Sequence, residues 1–208
     1  LSSIMFKNKN LNKNIKLNIL KEISNSKLSL KNLNLNKAVI NSKEVNKDDI
    51  FFAIKGKKKD AHNYLDEVSR NGASLAIVNK NINTFGRIKL IKVDDTLKFL
   101  TNCAKKLRES LSSKIIGITG SCGKTSLKDM LSFTLNKYHK TSFSRKSFNN
   151  KYGVPLSLFN INQKDKFGVL EVGMDKKGEI DFLSKIIKPD VGIITNISFA
   201  HIKNFKNI

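Results

Sequence analysis

The densest chemistry in the sequence lies in Gly117-Ile118-Thr119-Gly120-Ser121-Cys122-Gly123-Lys124-Thr125-Ser126. Glycines at this spacing let the backbone turn so that its N–H groups point at one anion, and a helix following the turn would add its positive end to the same place. Lys124 could then reach the β and γ phosphates of a nucleotide, and the Thr125 hydroxyl could sit on Mg²⁺. The run departs from the G-x-x-x-x-G-K-[ST] spacing, because Ile118 stands where the first glycine belongs and Gly117 lies one residue earlier. A glycine-rich strand-to-helix turn with a surface lysine is the alternative reading. Two other groups bear on the same chemistry. Glu171 ends an apolar run, and a carboxylate there suits Mg²⁺, which prefers oxygen ligands and bridges to nucleotide phosphates. Imidazole is an unusual Mg²⁺ ligand, so His201 by itself reads as a hydrogen-bond donor or a solvated loop residue.

These groups need elements to hold them. From Lys114 onward the pattern predicts a strand (Lys114 to Thr119), the glycine-rich turn, a helix (Lys124 to Lys137), a loop, a strand (Phe167 to Val172), a helix (Gly178 to Ile187) and a strand (Val191 to Ile197). Such alternation argues for a parallel sheet with helical crossovers. In an open parallel sheet ligands bind at the carboxyl ends of strands, and the glycine-rich turn, Glu171 and Asn196 to His201 all fall at that edge. Upstream, Ile50 to Ile54, Ser74 to Val78 and Ile88 to Val93 read as strands and Asn63 to Arg70 as a helix, together a small α/β unit. Asp95-Thr96 can cap a further helix with Leu97, Leu100, Ala104 and Leu107 on one face. The polar stretch Arg108 to Ser113 is the expected boundary, giving domains 1–110 and 111–208. Near the start, the spacing of Ile15, Leu17, Ile19, Leu20 and Ile23 is too weak to assign.

Composition bounds the partners. A length of 208 residues accommodates two small domains, and 39% hydrophobic content suits a folded chain rather than a disordered tail. The net charge of +22 would suit a polyanion, but the lysines are scattered, with no arginine cluster, zinc-finger spacing or aromatic run of the RNA-binding kind. A compositional bias toward Lys, Asn and Ile accounts for it, so no specific nucleic-acid partner is expected. Two cysteines, Cys103 and Cys122, exclude a disulfide framework and a cysteine-rich metal site. With no signal-peptide pattern and no apolar stretch approaching ~20 residues, the expectation is a cytoplasmic monomer without membrane insertion.

Taken together, the motifs resemble those of the Mur ligases. Thr119 to Thr125 matches the family's T-G-x-x-G-K-T loop, and Ser147 to Leu156 is similar to its N-x-N-N-x-x-G-V-P-L segment. Glu171-Val172-Gly173-Met174 with Gly178-Glu179-Ile180 resembles E-x-G-x…G-E-I, and Pro189-Asp190, Thr195-Asn196 and Ala200-His201 resemble its P-D…T-N…A-H run. More faintly, Asn41-Ser42-Lys43 stands where the family has D-S-R, and Asp60-Ala61-His62 where it has D-G-H. Within the family, the likeness is to the branch that joins D-Ala-D-Ala to UDP-N-acetylmuramoyl-tripeptide.

The resemblance implies an α/β architecture. A small N-terminal α/β domain would hold the UDP end of the muramoyl peptide, followed by a mostly parallel, Rossmann-like ATP-binding domain, the chain ending before a C-terminal domain. It implies ATP and Mg²⁺ as cofactors, with Thr119, Gly120, Ser121, Cys122, Gly123, Lys124, Thr125, Ser126, Asn149, Asn150 and Asn196 at the nucleotide. Thr125, Glu171 and His201 would serve magnesium, with Lys124, Glu171 and His201 as the catalytic set. Ser42, Lys43, Gly56, Asp60 and His62 would bind the UDP-sugar substrate. The implied reaction is ATP-dependent amide ligation through an acyl phosphate, in the building of peptidoglycan precursors. Two other readings of the residues remain: a ligase of the same superfamily with another acceptor, such as a folylpolyglutamate synthase, and a non-catalytic nucleotide- or polyanion-binding module.

Overall fold

The structure, a computed structural model, describes residues 14–24, 33–82, 86–146 and 148–198. The chain divides into two compact units, Leu1–Cys103 and Ala104–Ile208.

In the first unit a helix, α1, covers residues 14–24 and buries Ile19 and Leu20. The strands β1 (Ala38–Val39), β2 (Ile50–Phe52), β3 (Leu75–Val78) and β4 (Lys89–Lys92) form one sheet in that order, every pair parallel. The two inner strands, IFF and LAIV, are buried at every position, as expected where both faces of a parallel sheet are covered. The expected helix over Asn63 to Arg70 is a 3₁₀ turn, Ala61–Tyr64, running into α2 (Leu65–Arg70). Val39, Phe51, Ala76 and Val78 pack with Leu65 and Val68 in the core. Asp95 accepts the Lys98 N–H at 2.9 Å, capping α3 (Thr96–Ser110). The buried stripe of α3 runs through Phe99, Leu100, Cys103, Ala104 and Leu107, with Leu97 half-buried at its side. The division between the two units falls within this helix.

One buried charge in the first unit carries a measurable consequence. Lys16 in α1 is 7% exposed and donates to the Asn36 carbonyl at 3.0 Å. Burial pushes its ammonium down from 10.5 to about 8, against the attraction of Asp49. The folded chain therefore binds fewer protons here than the unfolded chain between those two values. The cost of burying the charge is fully present below about pH 8 and is relieved as pH rises toward 10.5. Lys16→Met should be the more stable chain at pH 7, by up to about 3 kcal/mol at 1.36 kcal/mol per unit. Its advantage should shrink toward pH 10.5, and urea unfolding at the two pH values reads the difference.

In the second unit β5 (Lys114–Thr119), β6 (Thr141–Phe143), β7 (Phe167–Glu171) and β8 (Val191–Ile194) form an all-parallel sheet in the order β6-β7-β5-β8. Strand β6 and helix α5 (Gly153–Phe159) fall where the sequence pattern predicted loop. Both are short, and a seven-residue helix containing Gly and Pro carries little periodic signal. Alternation along the strands assigns the two faces. Ile116, Ile118 and Val169 meet Leu127, Leu131 and Leu135 of α4 (Lys124–Asn136). On the other face a Cβ on Gly117 would lie 3.1 Å from Ile187 of α6 (Glu179–Ile187). The β5-to-β6 crossover moves one way along the sheet and β6-to-β7 and β7-to-β8 move the other. Right-handed connections then require α4 on one face and α5 and α6 on the opposite one, which is the arrangement found. The C-terminal end of α3 is tied to this sheet. Arg108 donates to the Ile187 carbonyl at 2.8 Å and to Asp190 at 2.9 Å, while Asp190 accepts the Ile115 N–H at 2.8 Å.

Candidate functional sites at the carboxyl edges of the two sheets

Strand β5 is flanked by β7 and β8, so the segments leaving these three strands converge at one edge. The first is the glycine-rich loop, which reaches its turn through Gly120 (φ +135°) and Gly123 (φ +78°), backbone regions that L side chains rarely adopt. Gly123 directly precedes α4, whose first-turn N–H groups and positive end face the loop. Lys124 folds its ammonium back onto the loop, donating to the Gly120 carbonyl at 2.6 Å and the Ser121 carbonyl at 3.3 Å. Ser126 is exposed on the first turn of α4.

From the neighbouring strand Glu171 brings a carboxylate into the same corner, 1% exposed. The Thr125 hydroxyl donates to Oε2 at 2.8 Å and Asn149 Nδ2 donates to Oε1 at 2.8 Å. Its own N–H donates to the Ser144 hydroxyl at 2.9 Å, and the Asn149 carbonyl accepts the Gly173 N–H at 2.6 Å. Among the described residues Glu171 has only neutral partners. A buried carboxylate held by neutral donors beside a phosphate-type loop suits a hard divalent cation such as Mg²⁺, which takes one or two protein carboxylates and completes its shell from phosphates and water. No group of three or more His, Cys, Asp or Glu residues gathers among the described residues. The donors that are described here fit an ion that completes its shell from nucleotide phosphate and water.

The third segment, after β8, braces the loop. Asn196 accepts the Ser121 N–H through its carbonyl at 3.1 Å and the Cys122 N–H through Oδ1 at 3.0 Å. The Thr195 hydroxyl donates to the Cys122 carbonyl at 2.6 Å, and Ser121 and Ser198 exchange hydrogen bonds at 2.8 and 2.9 Å. Asn150, expected at the nucleotide, accepts the Tyr152 and Gly153 N–H groups, each at 3.0 Å, and so starts α5. His201 lies outside the described residues. Thr195 belongs to the T-N motif and Ser198 to the edge segment Asn196 to His201, but the sequence assigns neither a role, and Ser144 carries no sequence signal; short hydroxyl residues in loops give none until the fold brings their partners near.

The first unit repeats the same logic. Ser42, the Gly56 to Asp60 turn and Asn79-Lys80 follow the carboxyl ends of β1, β2 and β3, adjacent strands of one sheet. Asp60 receives the Lys80 ammonium at 2.5 Å and His62 Nδ1 at 2.5 Å. The Lys80 hydrogen bond, with His62 adding to it, holds the Asp60 carboxyl far below the usual carboxylate range. His62 is buried, and its Nε2 accepts the Asn79 N–H at 3.1 Å, so the ring proton sits on Nδ1, facing Asp60. Gly56 donates its N–H to the Lys59 carbonyl at 2.8 Å. Ser42 is buried with its carbonyl bonded to Asn71, and the Lys43 N–H is capped by Asn41 at 3.2 Å. Lys80 was missed by sequence reasoning, although it stands just past a predicted strand.

Comparisons with known proteins point the same way. The Mur ligase middle domain matches residues 118–208. A UDP-N-acetylmuramoyl-tripeptide--D-alanyl-D-alanine ligase from Buchnera aphidicola (subsp. Acyrthosiphon pisum) is 36% identical over 186 residues, which is 89% of this chain and 40% of that protein. The crystal structure of MurF from Acinetobacter baumannii superposes with a TM-score of 0.78 at 32% identity, covering 91% of this chain and 42% of its own. MurF from Thermotoga maritima in complex with ADP gives 0.67 at 34%, covering 83% and 40%. The chain thus spans about 40% of the length of the relatives it matches.

Proposed function

The chain belongs to the Mur ligase family, and from that premise we propose that it forms the substrate-holding and nucleotide-binding parts of an ATP-dependent ligase joining D-Ala-D-Ala to UDP-N-acetylmuramoyl-tripeptide. The observation that carries the reading is the corner where Thr125 and Asn149 meet Glu171 at the carboxyl edge of β5 and β7, next to the loop onto which Lys124 folds. The first-turn N–H groups of α4, at the end of the glycine-rich loop, and Lys124 would hold the phosphates, an arrangement suited to phosphoryl transfer, where positioning and charge neutralisation supply most of the catalysis. Bound magnesium would neutralise phosphate charge, held by Glu171 and Thr125. A terminal carboxylate oxygen of the tripeptide attacks the γ phosphorus and ADP leaves. The dipeptide amine then attacks the acyl carbon, phosphate departs with the bonding pair, and the nitrogen loses a proton. Neither step needs a nucleophile from the protein. The cluster Asp60, His62 and Lys80, with Ser42, Lys43 and Gly56, is our candidate for the UDP end of the substrate, and a cytoplasmic location follows from the same assignment.

Calorimetric titration of the 208-residue chain with ATP and Mg²⁺, then with UDP-N-acetylmuramoyl-tripeptide, tests the reading. The parent chain should bind the nucleotide. Lys124→Ala, which removes a charge-assisted donor contributing about 1.5–3 kcal/mol, should weaken binding by roughly 10- to 100-fold. A folded parent chain that binds neither ligand would overturn the assignment. Salt-sensitive binding of nucleic acid that ATP fails to compete would favour a polyanion-binding module instead.

A further inference from the structure

Lys128 is buried in α4 with 2% exposure, one turn beyond Lys124 and on the face it shares with Thr125. Its ammonium donates to the Lys146 carbonyl at 3.1 Å and lies 3.2 Å from the exposed Asp129 carboxylate. A buried ammonium is costly unless its donors are used, and a methionine would fill the same volume without that cost. The charge is therefore explained by its partner. Lys146 stands at φ +48°, an unfavourable conformation for a residue other than glycine, in the connection between β6 and α5. That connection also carries Ser144, which receives the Glu171 N–H, and Asn149, which donates to the Glu171 carboxylate. Helix α4 thus acts on Glu171 twice, directly through Thr125 and at one remove through Lys128.

We propose that Lys128 is a positioning residue for the nucleotide–magnesium site, fixing the connection that bears Ser144 and Asn149 so that Glu171 is presented to the cation. The inference rests on the nucleotide–magnesium reading above. Its consequence is specific to the metal: the loop and Lys124, which hold the phosphates, do not depend on the Lys146 carbonyl.

The test is calorimetry of ATP binding with Mg²⁺ and with EDTA, on the parent chain, Lys128→Met and Lys128→Arg. Lys128→Met should bind metal-free ATP as the parent does and lose about tenfold of the enhancement given by Mg²⁺, the scale of outer ligand-sphere substitutions. Lys128→Arg, which keeps a buried cationic donor, should recover part of it. An equal loss with and without the metal would mean a purely structural role and overturn the proposal, as would no loss at all. Should Lys128→Met fail to fold by circular dichroism, Lys128→Gln, shorter and uncharged, is held to the same two outcomes. A parent chain whose ATP binding ignores Mg²⁺ would instead remove the underlying functional reading, and this proposal with it.

Discussion

Glu171→Gln should leave the chain as stable as the parent while lowering its Mg²⁺-dependent affinity for ATP by roughly 100-fold, the upper end of metal-site effects. The two halves of that result have separate causes. Glutamine keeps the volume of a side chain that is 1% exposed, so no cavity opens. Its oxygen can face Asn149 and go on accepting from Nδ2, and its amide can face Thr125, whose hydroxyl rotates to accept instead of donate. No buried polar group is stranded. What disappears is the negative charge, and a hard dication depends on that charge. Urea unfolding together with calorimetry in Mg²⁺ and in EDTA separates the effects. If stability falls in step with binding, Glu171 is a packing residue and the magnesium assignment fails.

Gly120→Ala is expected to be the most damaging single substitution in the loop. Gly120 holds φ +135°, and a Cβ there would overlap the Thr195 hydroxyl and lie 3.0 Å from both the backbone nitrogen and the backbone oxygen of Asn196. Thr195 could turn aside, but the Asn196 backbone cannot, since it carries the hydrogen bond to Ser121 that holds the loop. Backbone strain and overpacking each cost about 1–3 kcal/mol, so a loss of about 2–6 kcal/mol is expected, with nucleotide binding lost as the loop is displaced. The double variant Gly120→Ala/Thr195→Ala should recover only part of it. Full recovery would show that the hydroxyl alone set the limit. An alanine tolerated without loss in denaturant unfolding would mean that the loop is not pinned as described.

Much of the candidate site is legible in the sequence. The turn from Thr119 to Thr125 is local chemistry: Gly120 and Gly123 are required by their own backbone angles, and Lys124 and Thr125 follow them on a helix start. Glu171 was legible because strand ends in a parallel sheet meet at one edge. Asn149 and the pair Asp60 and His62 were legible through resemblance alone, since nothing in their neighbours' types demands them.

The rest depended on contacts between residues far apart in the chain. Lys128 reads in sequence as one more lysine on a solvated helix face in a chain of net charge +22, and only the packing of α4 on the sheet buries it. Strand β6 and helix α5 are too short to show periodicity, so the connection carrying Ser144 and Asn149 could not be foreseen as the element that grips Glu171. Asn196 stood in the expected nucleotide set, but its role as a brace on the loop follows from β8 lying beside β5, a pairing that joins residues more than seventy positions apart. The sequence by itself determined the fold class, the glycine-rich strand-to-helix turn and the family resemblance, because glycine geometry, apolar periodicity and motif order are properties of neighbouring residues. Tertiary structure alone decided which neutral donors surround Glu171, which lysines are buried and what holds the loop, because hydrogen-bond partners and burial exist only once distant strands have been set side by side.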